Sequence, residues 1–177
     1  MIKYLINNRW LRNAGIVVSA TLIMVPFSVF AAPALTQISP TAIARAANPT
    51  KDAMVKLKRS NQRWIEIDLT RQRLIAWQGK NQFSAVIVST GKASTPTLTG
   101  VFQIQSKLPV TRMQGDGYDI PDVPFAMYYS GGYAIHGAHW HHNFGTPISH
   151  GCVNVAVDHA EQLFDWASVG TPIVVHE

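Results

Sequence analysis

Trp64-Ile65-Glu66-Ile67-Asp68-Leu69-Thr70-Arg71-Gln72-Arg73-Leu74-Ile75-Ala76-Trp77 is the stretch at which the character of the chain changes. Apolar and polar residues alternate over Trp64–Leu69, the period of a half-buried strand, and alternate again from Arg73 to Trp77. Thr70-Arg71-Gln72 supplies the turn between them. Gly79-Lys80-Asn81 makes a second turn, and Phe83 to Ser89 reads as a third strand ending at Thr90-Gly91. Val101–Ile104, Phe125–Tyr129, Tyr133–Ile135 and Ile173–Val175 are further short strands. Residues 106–124 contain Pro109, Gly115, Gly117, Pro121 and Pro124 without periodicity, which predicts a long loop. One helix is predicted, capped by Asp158 with Glu161 three residues on. Its apolar stripe is Ala160, Leu163, Phe164 and Ala167, and Gly170 and Pro172 stop it. Short strands, frequent turns and one helix near the C-terminus predict a mainly-β domain, a sandwich or barrel-like fold.

Upstream of Trp64 the composition differs. Residues 1–13 carry three basic groups (Lys3, Arg9, Arg12), Ala14–Phe30 is an uncharged apolar run, and Ala31-Ala32-Pro33-Ala34 follows with small residues. That order is the one expected of a secretory signal, with cleavage after Ala31; a retained membrane anchor is the alternative reading of residues 1–32. Residues 33–61 hold Pro33, Pro40 and Pro49 and a basic end from Lys51 to Arg59, the composition of an extended linker. The formal charge of +5 belongs to these leading segments. Residues 61–177 carry seven Lys/Arg against nine Asp/Glu, a net −2, so the globular part has no nucleic-acid footprint. A chain with one cysteine forms no internal disulfide, so cysteine usage does not identify its compartment.

The chemistry concentrates in Tyr133–Val155, which holds the only cysteine, Cys152, and five of the seven histidines. A lone cysteine in a small-residue turn, Ser149-His150-Gly151-Cys152, with histidines elsewhere is the pattern of a thiol nucleophile and its base. A free thiol is only a few per cent ionised at neutral pH, so such a cysteine needs a neighbour that stabilises its thiolate. His136, on a separate strand, and His150, two residues away, are the two candidates, with His136 favoured as base and later acid. No Asp or Asn stands in an evident pairing position, so a backbone carbonyl near Gly137 is the expected orienting group for the imidazole. Gly151 lets the chain turn so that backbone N–H groups face a developing oxyanion.

These residues carry a resemblance. Ile135-His136-Gly137, then Ser149-His150-Gly151-Cys152-Val153-Asn154, resembles the signature of the L,D-transpeptidase (YkuD-type) catalytic domain. Ser89-Thr90-Gly91, Thr95-Pro96 and Gly100-Val101-Phe102 extend the likeness, which covers roughly residues 63–176. The resemblance implies a catalytic domain at 62–177 in which Cys152 is the nucleophile and His136 the proton acceptor and donor. Backbone N–H groups at His150 and Gly151 would form the oxyanion hole. It further implies acyl transfer from the third residue of a peptidoglycan tetrapeptide stem, with loss of D-alanine, and no metal or cofactor. Trp140, Tyr133, Ser149 and Asn154 are the expected substrate-contacting residues. The substrate lies outside the cytoplasmic membrane, so export to the periplasm or cell wall is expected, with membrane association through residues 1–32 if these are retained.

Three other readings stay open at this level. An L,D-carboxypeptidase would give the acyl group to water. The cluster His139, His141 and His142 raises a zinc-dependent wall hydrolase, against which stands the lack of a partnered Cys or Glu spacing. A catalytically silent wall-binding module is the third.

Overall fold

In the computed structural model, residues 48–177 are described, and the expected signal or anchor segment lies outside them. Nine strands form two sheets. The first runs in the order β3-β2-β1-β9-β4, with β1 Arg63–Asp68, β2 Arg73–Gln78, β3 Asn81–Ile87, β4 Gly100–Gln103 and β9 Pro172–His176. The second runs β5-β6-β7-β8, with β5 Ser106–Gly115, β6 Tyr118–Ser130, β7 Tyr133–Gly137 and β8 Val153–Val155. The alternation read at Trp64–Trp77 becomes an antiparallel pair, Trp64 opposite Trp77 and Asp68 opposite Arg73. Ile65, Ile67, Leu74 and Ala76 pack into one core with Met127, Tyr129, Ile135, Val153 and Val155 of the second sheet. The expected mainly-β, two-sheet architecture is the one observed.

The helix near the C-terminus, Val157–Trp166, adds Ala160, Leu163 and Trp166 to that core. Its N-cap is Ala156 and no side chain caps it; Asp158 sits in the first turn, where it complements the helix dipole instead of capping. The helix ends four residues before Gly170, when Ala167 turns extended. Lys107 donates to the carbonyl oxygens of Phe164 and Ala167 (2.6 Å for the latter), satisfying the orphan acceptors of the last turn.

Two readings of the sequence are corrected. Part of the expected linker is a helix, α1 (Pro49–Lys58), making Val157–Trp166 α2. Asn48 caps α1 by accepting from the N–H groups of Thr50 and Lys51, and Pro49 occupies the first turn. Three lysines hide it in the sequence, since only Leu57 of its ten residues is buried. Leu57 packs with Trp64 and Val174 on the outer face of the first sheet, while the Lys58 ammonium lies 4.9 Å from the Trp77 ring centroid.

The expected loop at 106–124 is a long hairpin of β5 and β6. Prolines disfavour central strands, but β5 is an edge, where one side of the backbone needs no ladder bond. The register skips a residue between Thr111 and Met113, and Asp122 and Phe125 hold positive φ, so irregularities in β6 absorb Pro121 and Pro124. Asp116-Gly117 forms the turn, a hairpin signal that the surrounding prolines obscure. β8 was also unforeseen, being only three residues long.

Among the described residues, the Tyr129 hydroxyl is the one buried side-chain polar atom without a hydrogen-bond partner. Leaving such a group dry is costly, so Tyr129→Phe should raise stability by about 1 kcal/mol in urea denaturation. A destabilised variant would reveal a bound partner for the hydroxyl. Leu57→Ala should cost about 2 kcal/mol, and an unchanged urea midpoint would detach α1 from the folded unit.

Candidate active site

Parallel pairing of β7 with β8 sets His136 beside Asn154. Side chains two apart on a strand share a face, so Ala134 and His136 point one way while Tyr133, Ile135 and Gly137 point the other. Cys152 precedes Asn154 by two residues and lies on the face of His136. All three line one cavity of about 260 Å³, together with Trp140, His141, Ile148, Ser149 and His150. Met113, Tyr118 and Ile120 close it from the β5–β6 hairpin. The region read as a long loop walls the site as a hairpin.

The turn before Cys152 is fastened from several sides. Gly151 has φ +117°, and a Cβ there would sit 2.7 Å from Cε1 of Tyr133, so both conformation and space demand glycine. Ser149 Oγ donates to the Cys152 carbonyl and accepts from the Gly151 N–H at 3.0 Å. Thr97 Oγ1 donates to the Gly151 carbonyl at 2.8 Å and accepts from the Gly91 N–H; Thr95 Oγ1 donates to the Ser149 carbonyl at 2.9 Å. Ser89 and Asn154 exchange backbone hydrogen bonds of 2.9 and 2.8 Å. Gln72 in turn holds Thr90, its amide nitrogen donating to the hydroxyl and its oxygen accepting from the N–H.

His136 is 2% exposed, and its Nδ1 lies 3.0 Å from the Gly137 carbonyl oxygen. A carbonyl only accepts, so Nδ1 carries the proton and Nε2 keeps its lone pair. The carbonyl orienting group expected from sequence is thus in place. Burial pushes the His136 pKa down to about 4, helped by nearby His141 and opposed by the Gly137 hydrogen bond. Burial also pushes the Cys152 thiol up, against a backbone hydrogen bond from Ala134. The resting pair is therefore neutral thiol and neutral imidazole. The thiol donates to the Gly132 carbonyl oxygen at 3.6 Å.

The other expected residues divide. His150 is exposed, and its ring stacks on Tyr118 of the hairpin at 4.6 Å. Trp140 stacks on His136 at 5.7 Å and stays 38% exposed at the cavity wall. Tyr133 is not in the cavity, a correction to its expected substrate contact: strand alternation turns it to the opposite face, against Gly151 and Tyr129. Ser149 lines the cavity, but its hydroxyl is spent on the turn. The Gly151 N–H, expected to face an oxyanion, is engaged with that hydroxyl.

His141 is the residue that sequence reading did not place. The Asn143 backbone nitrogen lies 3.2 Å from its Nδ1, and the Asn154 amide nitrogen lies 2.9 Å from its Nε2. Asn154 is thereby a positioning residue for His141. Burial and neighbouring His142 lower the His141 pKa. Its only sequence signal was membership in a histidine cluster. That cluster does not converge, and among the described residues no three His, Cys, Asp or Glu side chains come together as metal ligands.

Residues 62–175 match the family described as the L,D-transpeptidase catalytic domain. L,D-transpeptidase 1 of Mycobacterium tuberculosis is 34% identical over 100 residues, covering 49% of this chain and 39% of that protein. The solution structure of the catalytic domain from the Enterococcus faecium L,D-transpeptidase superposes with a TM-score of 0.60 at 29% identity, covering 66% of this chain and 98% of that one. An L,D-transpeptidase solved in complex with imipenem gives a TM-score of 0.61 at 27% identity, covering 64% and 58%. This chain thus spans about two fifths of the curated relative.

His136 makes stability depend on pH. Its folded pKa, about 4, lies below the ordinary 6.5, so the unfolded state binds the extra proton and stability falls as pH drops from 6.5 to 4. The loss attributable to this residue should reach about 3 kcal/mol. Urea denaturation of wild type and His136→Gln at pH 7 and pH 4 checks it: the variant should lose less by that difference, and parallel losses would mean an ordinary histidine.

Proposed function

Because the chain belongs to the L,D-transpeptidase catalytic-domain family, we propose that it is a peptidoglycan L,D-transpeptidase acting through a thioester on Cys152. The observation that carries this reading is the one cavity lined by both His136 of β7 and Cys152, which directly precedes its parallel neighbour β8. The donor is a tetrapeptide stem, bound with the carbonyl of its third residue over the sulfur. His136 Nε2 takes the thiol proton as sulfur attacks, since neither group is charged at rest. The oxyanion faces the backbone N–H groups of His150 and Cys152, since that of Gly151 is engaged with the Ser149 hydroxyl. His136 then gives the proton to the departing D-alanine nitrogen. An amine of a second stem attacks the thioester, forming the amide and freeing the thiol. Trp140, His141 and Asn154 form the polar and aromatic wall against which the donor lies.

This chemistry requires no metal or cofactor, and it places the protein outside the cytoplasmic membrane. Among the described residues no helix is long and apolar enough to cross a membrane, and the segment expected to direct export lies at 1–32.

Incubating the purified chain with a disaccharide-tetrapeptide and weighing the products tests the reading. Wild type should release D-alanine and form a cross-linked dimer, and Cys152→Ala should lose at least about a thousandfold in rate. His136→Ala should slow acylation by about 10²–10⁴-fold with its fold retained. Release of D-alanine with tripeptide alone would establish the carboxypeptidase. A dimer from the alanine variant would remove the cysteine mechanism. Imipenem, the ligand in the solved relative, should add its mass to Cys152 alone.

A further inference from the structure

The chain leaving β7 is tied at Ala138, whose N–H donates to the Val155 carbonyl oxygen at 2.8 Å. It is tied again where the Ser89 hydroxyl donates to the Asn143 carbonyl oxygen at 2.8 Å and the Gly145 N–H to that of Val88 at 2.9 Å. Between these points, among the described residues, the hydrogen-bond contacts are those of the His141 ring alone. His139, Trp140 and His142 are exposed, and His141 is half-buried. Trp140 touches both imidazoles, stacked on His136 at 5.7 Å and edge-on to His141 at 6.1 Å.

Both nitrogens of the His141 ring face nitrogen, the Asn143 N–H at Nδ1 and the Asn154 amide at Nε2. A neutral imidazole accepts at one of its nitrogens; an imidazolium accepts at neither, because both donate. The Asn143 N–H is backbone and cannot turn away, so a proton on Nδ1 sets donor against donor. Turning the Asn154 amide would relieve Nε2 alone. The titratable groups around the ring are His136 on β7, His139 and His142 on its own segment, Cys152 and His150 before β8, and Tyr118 on the hairpin. No Asp or Glu lines the cavity among the described residues, so no carboxylate is at hand to hold an imidazolium. Burial and His142 lower the His141 pKa, in keeping with an arrangement that rejects the extra proton.

We propose, on the reading of the site as a cysteine acyltransferase, that neutral His141 is the positioning residue that clips residues 139–142 to β8 and keeps Trp140 on the catalytic imidazole. Protonating His141 breaks its Asn143 contact, releases the segment and uncovers His136. His141 is half-buried and His136 fully buried, so His141 takes its proton first as pH falls. The acid limb of acylation then follows His141 and lies above the limb at about 4 that His136 alone would set.

D-alanine release from the disaccharide-tetrapeptide, measured as kcat/KM between pH 7 and pH 4.5, tests this on the full chain as wild type, His141→Gln and His141→Phe. Wild type should lose about tenfold over that range. The Gln variant does not titrate and offers an oxygen to the Asn143 N–H; it should lose less than about twofold, the part due to His136. The Phe variant keeps a ring and neither contact, so it should be about tenfold slower than wild type at pH 7, with a flat profile. Parallel losses in wild type and the Gln variant overturn the proposal, as does a Phe variant at the wild-type rate. Carbon-13 signals of the histidine rings in wild type decide the matter whether or not the variants fold. The His141 ring should stay neutral below pH 6.5, and protonation at or above 6.5 overturns the proposal. A wild type that releases no D-alanine at pH 7 would instead overturn the acyltransferase reading itself.

Discussion

Everything at the site depends on β7 and β8 lying parallel. Antiparallel neighbours can be joined by two residues, whereas parallel ones require the chain to travel back along their length. Here residues 138–152 make that return, and they carry Trp140, His141, Ile148, Ser149 and His150 along the cavity wall. The same pairing fixes His136 against Asn154 and, by the two-residue period, puts Cys152 on the face of the imidazole. A register slip of one residue would send Cys152 to the hydrophobic face and Val153 to the cavity.

Burial sets the electrostatics. His136 and Cys152 are each held in the neutral form by their surroundings, the histidine pulled down and the thiol pushed up. A pair of this kind keeps no ion in the resting site. The Gly137 carbonyl, 3.0 Å from Nδ1, fixes the orientation of the imidazole. The thiol meanwhile rests against the Gly132 carbonyl oxygen.

The turn itself is built from polar groups that do no chemistry. Ser149, Thr95 and Thr97 use their hydroxyls on backbone atoms at Ser149, Gly151 and Cys152, and Gln72 braces the adjoining strand through Thr90. Such hydrogen bonds to a turn with one glycine at φ +117° fix a conformation that the chain alone would hold poorly. The hairpin of β5 and β6 completes the enclosure from the other side, its Tyr118 stacked on His150.

The sequence by itself determined the alternating strands around Trp64–Trp77, the C-terminal helix and the turn at Ser149–Cys152. Each of these is written in local signals: period two, an apolar stripe at helical spacing, and a cysteine beside the glycine its turn requires. It also pointed to a carbonyl near Gly137 as the histidine's partner, since no acidic neighbour was available. Only the tertiary structure decided the rest. Helix α1 shows a single buried residue, and its remaining character is that of a basic linker. The hairpin's prolines read as a loop until β5 proves to be an edge strand. Tyr133 is turned out of the cavity and His141 into its wall, because strand parity and the contact with the Asn154 amide, not proximity in sequence, aim them. Contacts between residues far apart in the chain leave no local periodicity, so they become legible only when the sheets close.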